Sequence, residues 1–467
     1  MEQKTQRELF ASRLGFILMT AGCAVGLGNV WRFSYITGQY GGGFFVVLYL
    51  GFLLLLGFPV MLMELSLGRA GRSTYPGAFR KLQNQQCRFN WYKPVYLLFA
   101  GNLILLMFYS VITGWLLIYA VGFLQGKFAN VTAATSAAIF GNMLNDPCSQ
   151  TVSMIISVLI TVLVCVGGIR KTIEKTIKIM MFGLFVLLLV LVVQSLQQPG
   201  AMKGVSFFLK PDWNKFVSDG ILSTIHAAMA QAFFTLSLGI GSIAVCGSYT
   251  PDQNSLVKES TWIILLDTFV AVASGLIIFP ACASFNIKPD AGPSLIFITL
   301  PSVFDSMNGG ALWGFIFFIF LSIAALSTLI AVFENLVAFG MDQWRWSRKY
   351  SCGIFGILLT VFSLPCIFGF NIWKNFHPLG NSSNILDLED FIVSDNLLPL
   401  GALYLTVFCM NRYGWGAENF LSAASNGRVR KSTKGLYFYL TWVLPVMIFV
   451  IWLIGLARRF NLPLPQF

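Results

Sequence analysis

Two short runs place glycines and oxygen-bearing side chains inside otherwise apolar stretches: Gly22-Cys-Ala-Val-Gly26-Leu-Gly28-Asn29 and Thr235-Leu-Ser237-Leu-Gly239-Ile-Gly241-Ser242. Glycine weakens a helix and lets backbone approach a ligand. A helix that restarts near Leu27 points free N–H groups, and the positive end of its dipole, at an anion such as a carboxylate. Carbonyls left over around Ala24, and between Phe234 and Ser237, can accept from an ammonium group or coordinate a cation. Sodium takes hard oxygen ligands, and Asn29, Thr235, Ser327 and Thr328 offer side-chain oxygens in the same kind of surroundings.

Three acids also lie in apolar stretches: Glu64, Asp267 and Glu334. A charge in hydrocarbon is costly, so each is a functional candidate by default. Glu64 is expected to hold the second glycine run by hydrogen bonding, and Glu334 to do similar polar work near the first. Enzyme chemistry finds little support. His226 and His377 are the only histidines and lack metal-ligand spacing. Gly22, Gly26 and Gly28 follow no strand, so they form no dinucleotide fingerprint.

The elements that must position these residues follow from composition. The 467 residues are 56% hydrophobic and 11% charged, against about 25% charged in soluble proteins, and mean hydropathy is +0.74. Such a chain is an all-α integral membrane protein, and the lipid bilayer is its first partner. A crossing takes about 20 apolar residues. About eleven spans follow, near 13–37, 42–69, 94–125, 151–168, 175–197, 220–248, 257–285, 310–341, 351–370, 388–411 and 434–460. The connection at 286–309 reads as a short helix over the mouth, and no cleavable signal peptide is expected at Met1–Arg13. Net charge is +12, which here sets topology rather than marking nucleic acid. With the N-terminus in the cytoplasm, roughly 22 of the 31 Lys and Arg lie inside, among them Arg170, Lys171, Arg345, Arg428 and Arg430. The C-terminus then lies outside the cell membrane, with Arg458 and Arg459 against the rule.

One glycine run alone would favour close packing through small residues. Two runs, in spans 1 and 6 and five spans apart, point instead to a five-plus-five inverted repeat with both helices broken at a midplane site, the arrangement of a secondary transporter. The chain then reads as one transmembrane domain over 1–467. Its repeats would be 13–197 and 220–411, with 434–460 as an added span.

The residues also carry a family resemblance. Arg13-Leu-Gly-Phe, Ala24-Val-Gly-Leu-Gly-Asn-Val-Trp-Arg32-Phe, Gly41-Gly-Gly-Phe-Phe, Phe233-Phe-Thr-Leu-Ser-Leu-Gly and Ala324-Ala-Leu-Ser-Thr-Leu-Ile-Ala resemble the neurotransmitter:sodium symporter family. The likeness covers nearly the whole chain, and the missing twelfth span resembles shortened prokaryotic members. It implies two Na⁺ sites. One would use the Ala24 carbonyl, Asn29, Thr235, Asp267 and the substrate carboxylate. The other would use carbonyls of Gly22, Val25 and Ala324 with the hydroxyls of Ser327 and Thr328. The substrate carboxylate would meet Leu27 and Gly28 N–H groups and the Tyr109 hydroxyl, with Leu105, Ile112, Phe234, Ser237, Ile240, Val332 and Thr328 as pocket wall.

Monoamine members carry Asp where this chain has Gly26, so the resemblance implies an α-amino acid, and the apolar wall implies a hydrophobic or aromatic one. Leucine, methionine, tyrosine and tryptophan all remain open. Asp267 would supply the negative charge that chloride-dependent members take from Cl⁻; the alternative is that it serves sodium alone while Tyr49 and Gln231 help hold Cl⁻. Arg32 with Asp390 would close the outer vestibule. Arg7 with Asp342 would close the inner side, near Phe10, Ser248 and Tyr249.

Other classes stay in view. A channel would need a continuous polar pore rather than discrete sites, while a sensor that binds without transport shares the same residues. An osmolyte or γ-amino acid carrier is the alternative substrate class. Seven cysteines read as small apolar residues, Cys87 and Cys148 fall on opposite sides, and the sequons at Asn130 and Asn381 carry no weight. Oligomeric state is left open.

Overall fold

A computed structural model describes residues 8–218, 220–285, 295–380, 383–425 and 434–460. Among these residues the chain is all helix, with no strand. The helices that matter here are α1 (Arg13–Ala24), α2 (Gly28–Gln39), α3 (Gly43–Gly71), α4 (Tyr92–Leu124), α5 (Pro147–Val166), α6 (Ile169–Leu196), α7 (Ile221–Thr235), α8 (Ser242–Ser248), α9 (Leu256–Ser284), α10 (Gly310–Trp344), α11 (Arg348–Phe368), α12 (Ile385–Met410) and α13 (Lys434–Arg459). Among the described residues nine helices are long and apolar enough to cross a membrane, or ten when α1 and α2 count as one bent span. The expected span at 220–248 is the pair α7 and α8, each too short to cross alone.

Burial sorts centre from rim. In α10, 78% of the apolar core stretch is buried, against 28% in α6 and in α13. The rim helices turn Leu163, Phe182 and Leu453 outward, the continuous apolar surface that lipid covers. Close approach at the centre rests on small residues. Gly68 of α3 meets the backbone of Ala244 in α8, and Gly247 of α8 meets the backbone of Leu65, with no room for a Cβ at either. This matches the small-residue contacts that draw membrane helices together.

The short helix expected over the mouth is present as Leu295–Asp305; residues 286–294 lie outside the described part. Tyr119 donates to the Phe297 carbonyl at 2.9 Å, and the Phe297 ring lies parallel to Phe140 at 5.2 Å. The cysteines are all free, with Cys148 exposed, Cys87 half-buried and the other seven buried. Arg458 and Arg459, the two charges against the topology rule, are both engaged. Arg458 donates to the Ser223 hydroxyl at 2.8 Å, and Arg459 stands 5.7 Å from the Phe391 ring.

Candidate functional site

The first glycine run ends α1. Val25 turns extended, with ψ near 98°, and the chain restarts as α2 at a 56° bend. Helical bonding resumes in a wider, π-type turn over Gly28–Arg32, a form concentrated at functional sites. Between the halves the Asn29 side chain caps the gap, accepting from the Gly26 N–H at 3.1 Å. The Leu27 N–H donates to the Tyr109 hydroxyl at 2.9 Å. The second run breaks the chain between α7 and α8. Ser237 takes a left-handed φ of 49°, and Gly239 and Gly241 sit at 102° and 87°. At Gly239 a side chain is excluded twice over, since a Cβ would also strike the Leu398 carbonyl of α12.

Five of the expected sodium ligands converge between α1 and α10. Thr328 Oγ1 lies 3.1 Å from the Gly22 carbonyl, 3.3 Å from that of Val25 and 3.4 Å from that of Ala324. Ser327 Oγ lies 2.8 Å from the Ala324 carbonyl and 3.4 Å from that of Gly22. Two hydroxyl protons cannot satisfy this many oxygens at once. A buried knot of hard oxygens short of protons is what a small cation fits.

A second knot forms where the α1–α2 break faces α7 and α9, around Asp267. Its carboxylate accepts from Asn29 Nδ2 at 2.8 Å, from Thr235 Oγ1 at 3.2 Å and from the Tyr49 hydroxyl at 3.4 Å. Asn29, Thr235 and Asp267 are all buried. Gln231 donates to the Gly28 carbonyl at 3.0 Å, which fixes the start of α2 against α7.

The residues expected to line the pocket come from α4, α7, α10 and the two helix breaks. Tyr109, Leu105 and Ile112 share one face of α4 by their spacing, and all three are buried. Val332 is one turn beyond Thr328 on α10. Phe234 is half-buried and lies against Gly28, where a Cβ would come within 2.8 Å of its ring. Gly26 has no room for a Cβ either, because one would strike the Tyr109 hydroxyl and come within 2.7 Å of Thr328 Oγ1. Ala24 closes α1. Ile240 is fully buried in the second break, its carbonyl accepting from Asn102 Nδ2 at 2.8 Å.

The gates divide. Arg32 stands over the Phe234 ring, 4.0 Å from its centre, and Asp390 accepts from Ser394 at 2.5 Å. The expected Arg32–Asp390 ion pair is therefore not formed in this conformation, and the cation instead covers the aromatic side of the pocket. Arg7 lies outside the described residues. Its expected partner Asp342 accepts from the Thr74 N–H at 2.8 Å and from Ser73 Oγ at 3.1 Å. Phe10 N–H donates to the Tyr249 carbonyl at 3.1 Å.

Glu64 takes the role expected of it, accepting from the Gly239 N–H at 3.3 Å inside the second break. Glu334 does work that was not foreseen. It accepts two bonds from Arg348, each 2.7 Å, and one from the Tyr249 hydroxyl at 2.9 Å. That pairing is bidentate, with Glu334 buried and Arg348 half-buried, the strong geometry for a carboxylate. Nothing local in the sequence pairs Arg348 with Glu334, 14 positions away.

Comparison with known proteins gives one answer. The model of the sodium:neurotransmitter symporter family matches residues 7–138 and 135–458. An uncharacterized sodium-dependent transporter of Bacillus subtilis is 32% identical over 450 residues, covering 95% of this chain and 96% of that one. The sodium-dependent serotonin transporter of Drosophila melanogaster is 26% identical over 408 residues, 77% of this chain and 63% of its own. Among solved structures, MhsT in complex with L-phenylalanine superposes with a TM-score of 0.85 at 35% identity, covering 96% of this chain and 100% of that one.

Proposed function

The chain belongs to the sodium:neurotransmitter symporter family, and from that premise we propose that it carries a hydrophobic or aromatic L-amino acid across the cell membrane with two Na⁺ and without Cl⁻. It is a multi-pass transporter of a sodium-dependent family and not an enzyme. The substrate class and the ion count are our reading.

The observation that carries the reading is the Leu27–Tyr109 contact. One amide at the start of α2 meets one hydroxyl of α4, beside both oxygen knots. A substrate carboxylate would take the amide and the hydroxyl together, at the positive end of a half-helix. Gly26 supports an α-amino acid, because there is no room there for a side-chain carboxylate of the protein. Phe234, Leu105, Ile112, Val332 and Ile240 then surround an apolar side chain. The L-phenylalanine bound by MhsT agrees with that choice.

Sodium enters as a co-transported substrate. The Asp267 knot would hold one ion next to the substrate carboxylate, so substrate and ion each complete the other's site. The knot at Ser327 and Thr328 would hold the second across α1 and α10. Such an ion ties the broken helix to the packed centre, and its release frees the two to part. Chloride independence rests on Asp267. Its carboxylate already occupies the hydroxyls of Tyr49 and Thr235, so the negative charge that would offset sodium is built into the chain.

We place residue 8 on the cytoplasmic side. There Glu8 and Leu9 are bonded to Ile169 and Arg170, close to much of the positive charge. The repeats would span 13–197 and 220–411, with α13 as the added span. The test is uptake of labelled leucine, phenylalanine, tyrosine and tryptophan into proteoliposomes under an inward Na⁺ gradient. Concentrative uptake, lost when choline replaces sodium, is expected for at least one of them. Uptake indifferent to sodium would overturn both ion assignments. Sodium-dependent binding without turnover would identify a sensor.

A further inference from the structure

Two asparagines inside apolar helices are not among the substrate or sodium contacts expected above, although Asn102 bonds the Ile240 carbonyl beside them. Asn102 lies on α4 two turns before Tyr109, and Asn335 lies on α10 two turns after Thr328. Both are fully buried. Asn102 Oδ1 accepts from the Ser242 hydroxyl at 2.7 Å and from Asn335 Nδ2 at 3.0 Å. Asn102 Nδ2 donates to the Ile240 carbonyl at 2.8 Å and to the Phe99 carbonyl at 2.9 Å. One side chain thus ties α4 and α10 to the last turn of the second break and to the first residue of α8. Among the described residues no group donates to Asn335 Oδ1.

We propose that Asn102 and Asn335 are positioning residues that latch α8 against α4 and α10, holding the side of the molecule at Phe10 and Tyr249 closed while sodium and substrate are bound. The inference rests on the alternating-access transport proposed above. Three physical points support it. First, α8 is joined to α3 by glycine-to-backbone contacts at Gly68 and Gly247. Those contacts let α8 and α3 move as one body, whereas parting α8 from α4 and α10 must break the bonds at Ser242 and Ile240. Second, amide bonds are strong in a dry interior and are exchanged almost evenly for water once water enters. A neutral node is therefore firm when closed and cheap to keep open, as a latch must be. Third, Asn335 Oδ1 is a spare acceptor for the first hydroxyl or water that reaches the node as α8 shifts. Through the Ile240 carbonyl the node also fixes one wall of the pocket, so latch and substrate site share a residue.

The chain carries its own reporter. Cys246 sits on α8 and is 1% exposed, while Cys366 on α11 is buried away from α8. The full-length protein in proteoliposomes would be treated with N-ethylmaleimide, in Na⁺ and in choline, and alkylation at each cysteine read by mass spectrometry. The wild type is expected to protect both cysteines in Na⁺. Ser242→Ala removes one hydroxyl and leaves the core filled; Asn335→Ala removes the bridge to α10. Each should raise Cys246 alkylation in Na⁺ by about tenfold, with Cys366 unchanged. Cys246 as protected in both variants as in the wild type would overturn the latch. An equal rise at Cys366 would overturn it too, in favour of a role in general packing. Alkylation does not depend on which substrate is carried, so a failed latch leaves the transport reading standing, and failed uptake leaves this result interpretable.

Discussion

The two oxygen knots on either side of the broken first helix contrast in charge. The one at Ser327 and Thr328 is made of hydroxyls and carbonyls and has no formal charge. The one at Asp267 is built around a carboxylate that collects donors from three other helices. A neutral knot can hold Na⁺ only by dipoles, and the bound ion leaves a net positive charge in a dry interior. The Asp267 knot would cancel the ion proposed for it. The contrast teaches that one fold can solve the same desolvation problem in two ways. Under the proposed function the charged knot would be the one beside the substrate, where a second carboxylate would be accommodated only when sodium is present.

Several substitutions would break or sharpen this contrast. The largest effect is expected for Asp267→Asn, which keeps the shape but leaves the ion unneutralised. The Na⁺ concentration for half-maximal uptake should rise about a hundredfold, and added chloride should recover part of the loss. A sodium titration in chloride and in gluconate checks both. Gly26→Ala acts on the neutral knot and on the expected substrate contact together, because its Cβ would press on the Thr328 and Tyr109 hydroxyls. Overpacking of about 1–3 kcal/mol should weaken substrate and sodium binding together, measured as paired Kd values.

Thr328→Val removes one hydroxyl from the neutral knot while filling its space. Sodium affinity should fall about tenfold, and chloride should not rescue it, in contrast to Asp267→Asn. Arg32→Gln is expected to have the smallest effect. Losing a cation over Phe234 costs about 0.5–1 kcal/mol at an exposed site, which should raise the substrate KM a few-fold and leave the sodium dependence of uptake as it was.

Much of this was legible in the sequence. Span positions follow from hydropathy, since a 20-residue apolar run has one use in lipid. The broken helices follow from glycine runs that no continuous span needs. Both knots were reached through resemblance, and their oxygens converge in space, yet spacing alone could not have paired Gly22 with Thr328. Contacts across the fold were not legible. Arg348 and Glu334 are separated by the turn between α10 and α11, and nothing local shows that the side chains meet. The Arg32–Asp390 pair depends on the conformation the protein holds, which sequence does not encode. Arg458 and Arg459, which run against the topology rule, have partners on α7 and α12 that no local spacing shows. Asn102 and Asn335 did leave a signal: a lone amide in a long apolar helix needs a buried partner.

The central claim is that the countercharge for sodium lies in the chain. The most direct test is the initial rate of Na⁺-driven amino acid uptake into proteoliposomes with chloride replaced by gluconate on both sides. The account predicts an unchanged rate in the wild type and chloride-stimulated transport only after Asp267→Asn. A wild type that stops when chloride is removed would contradict it.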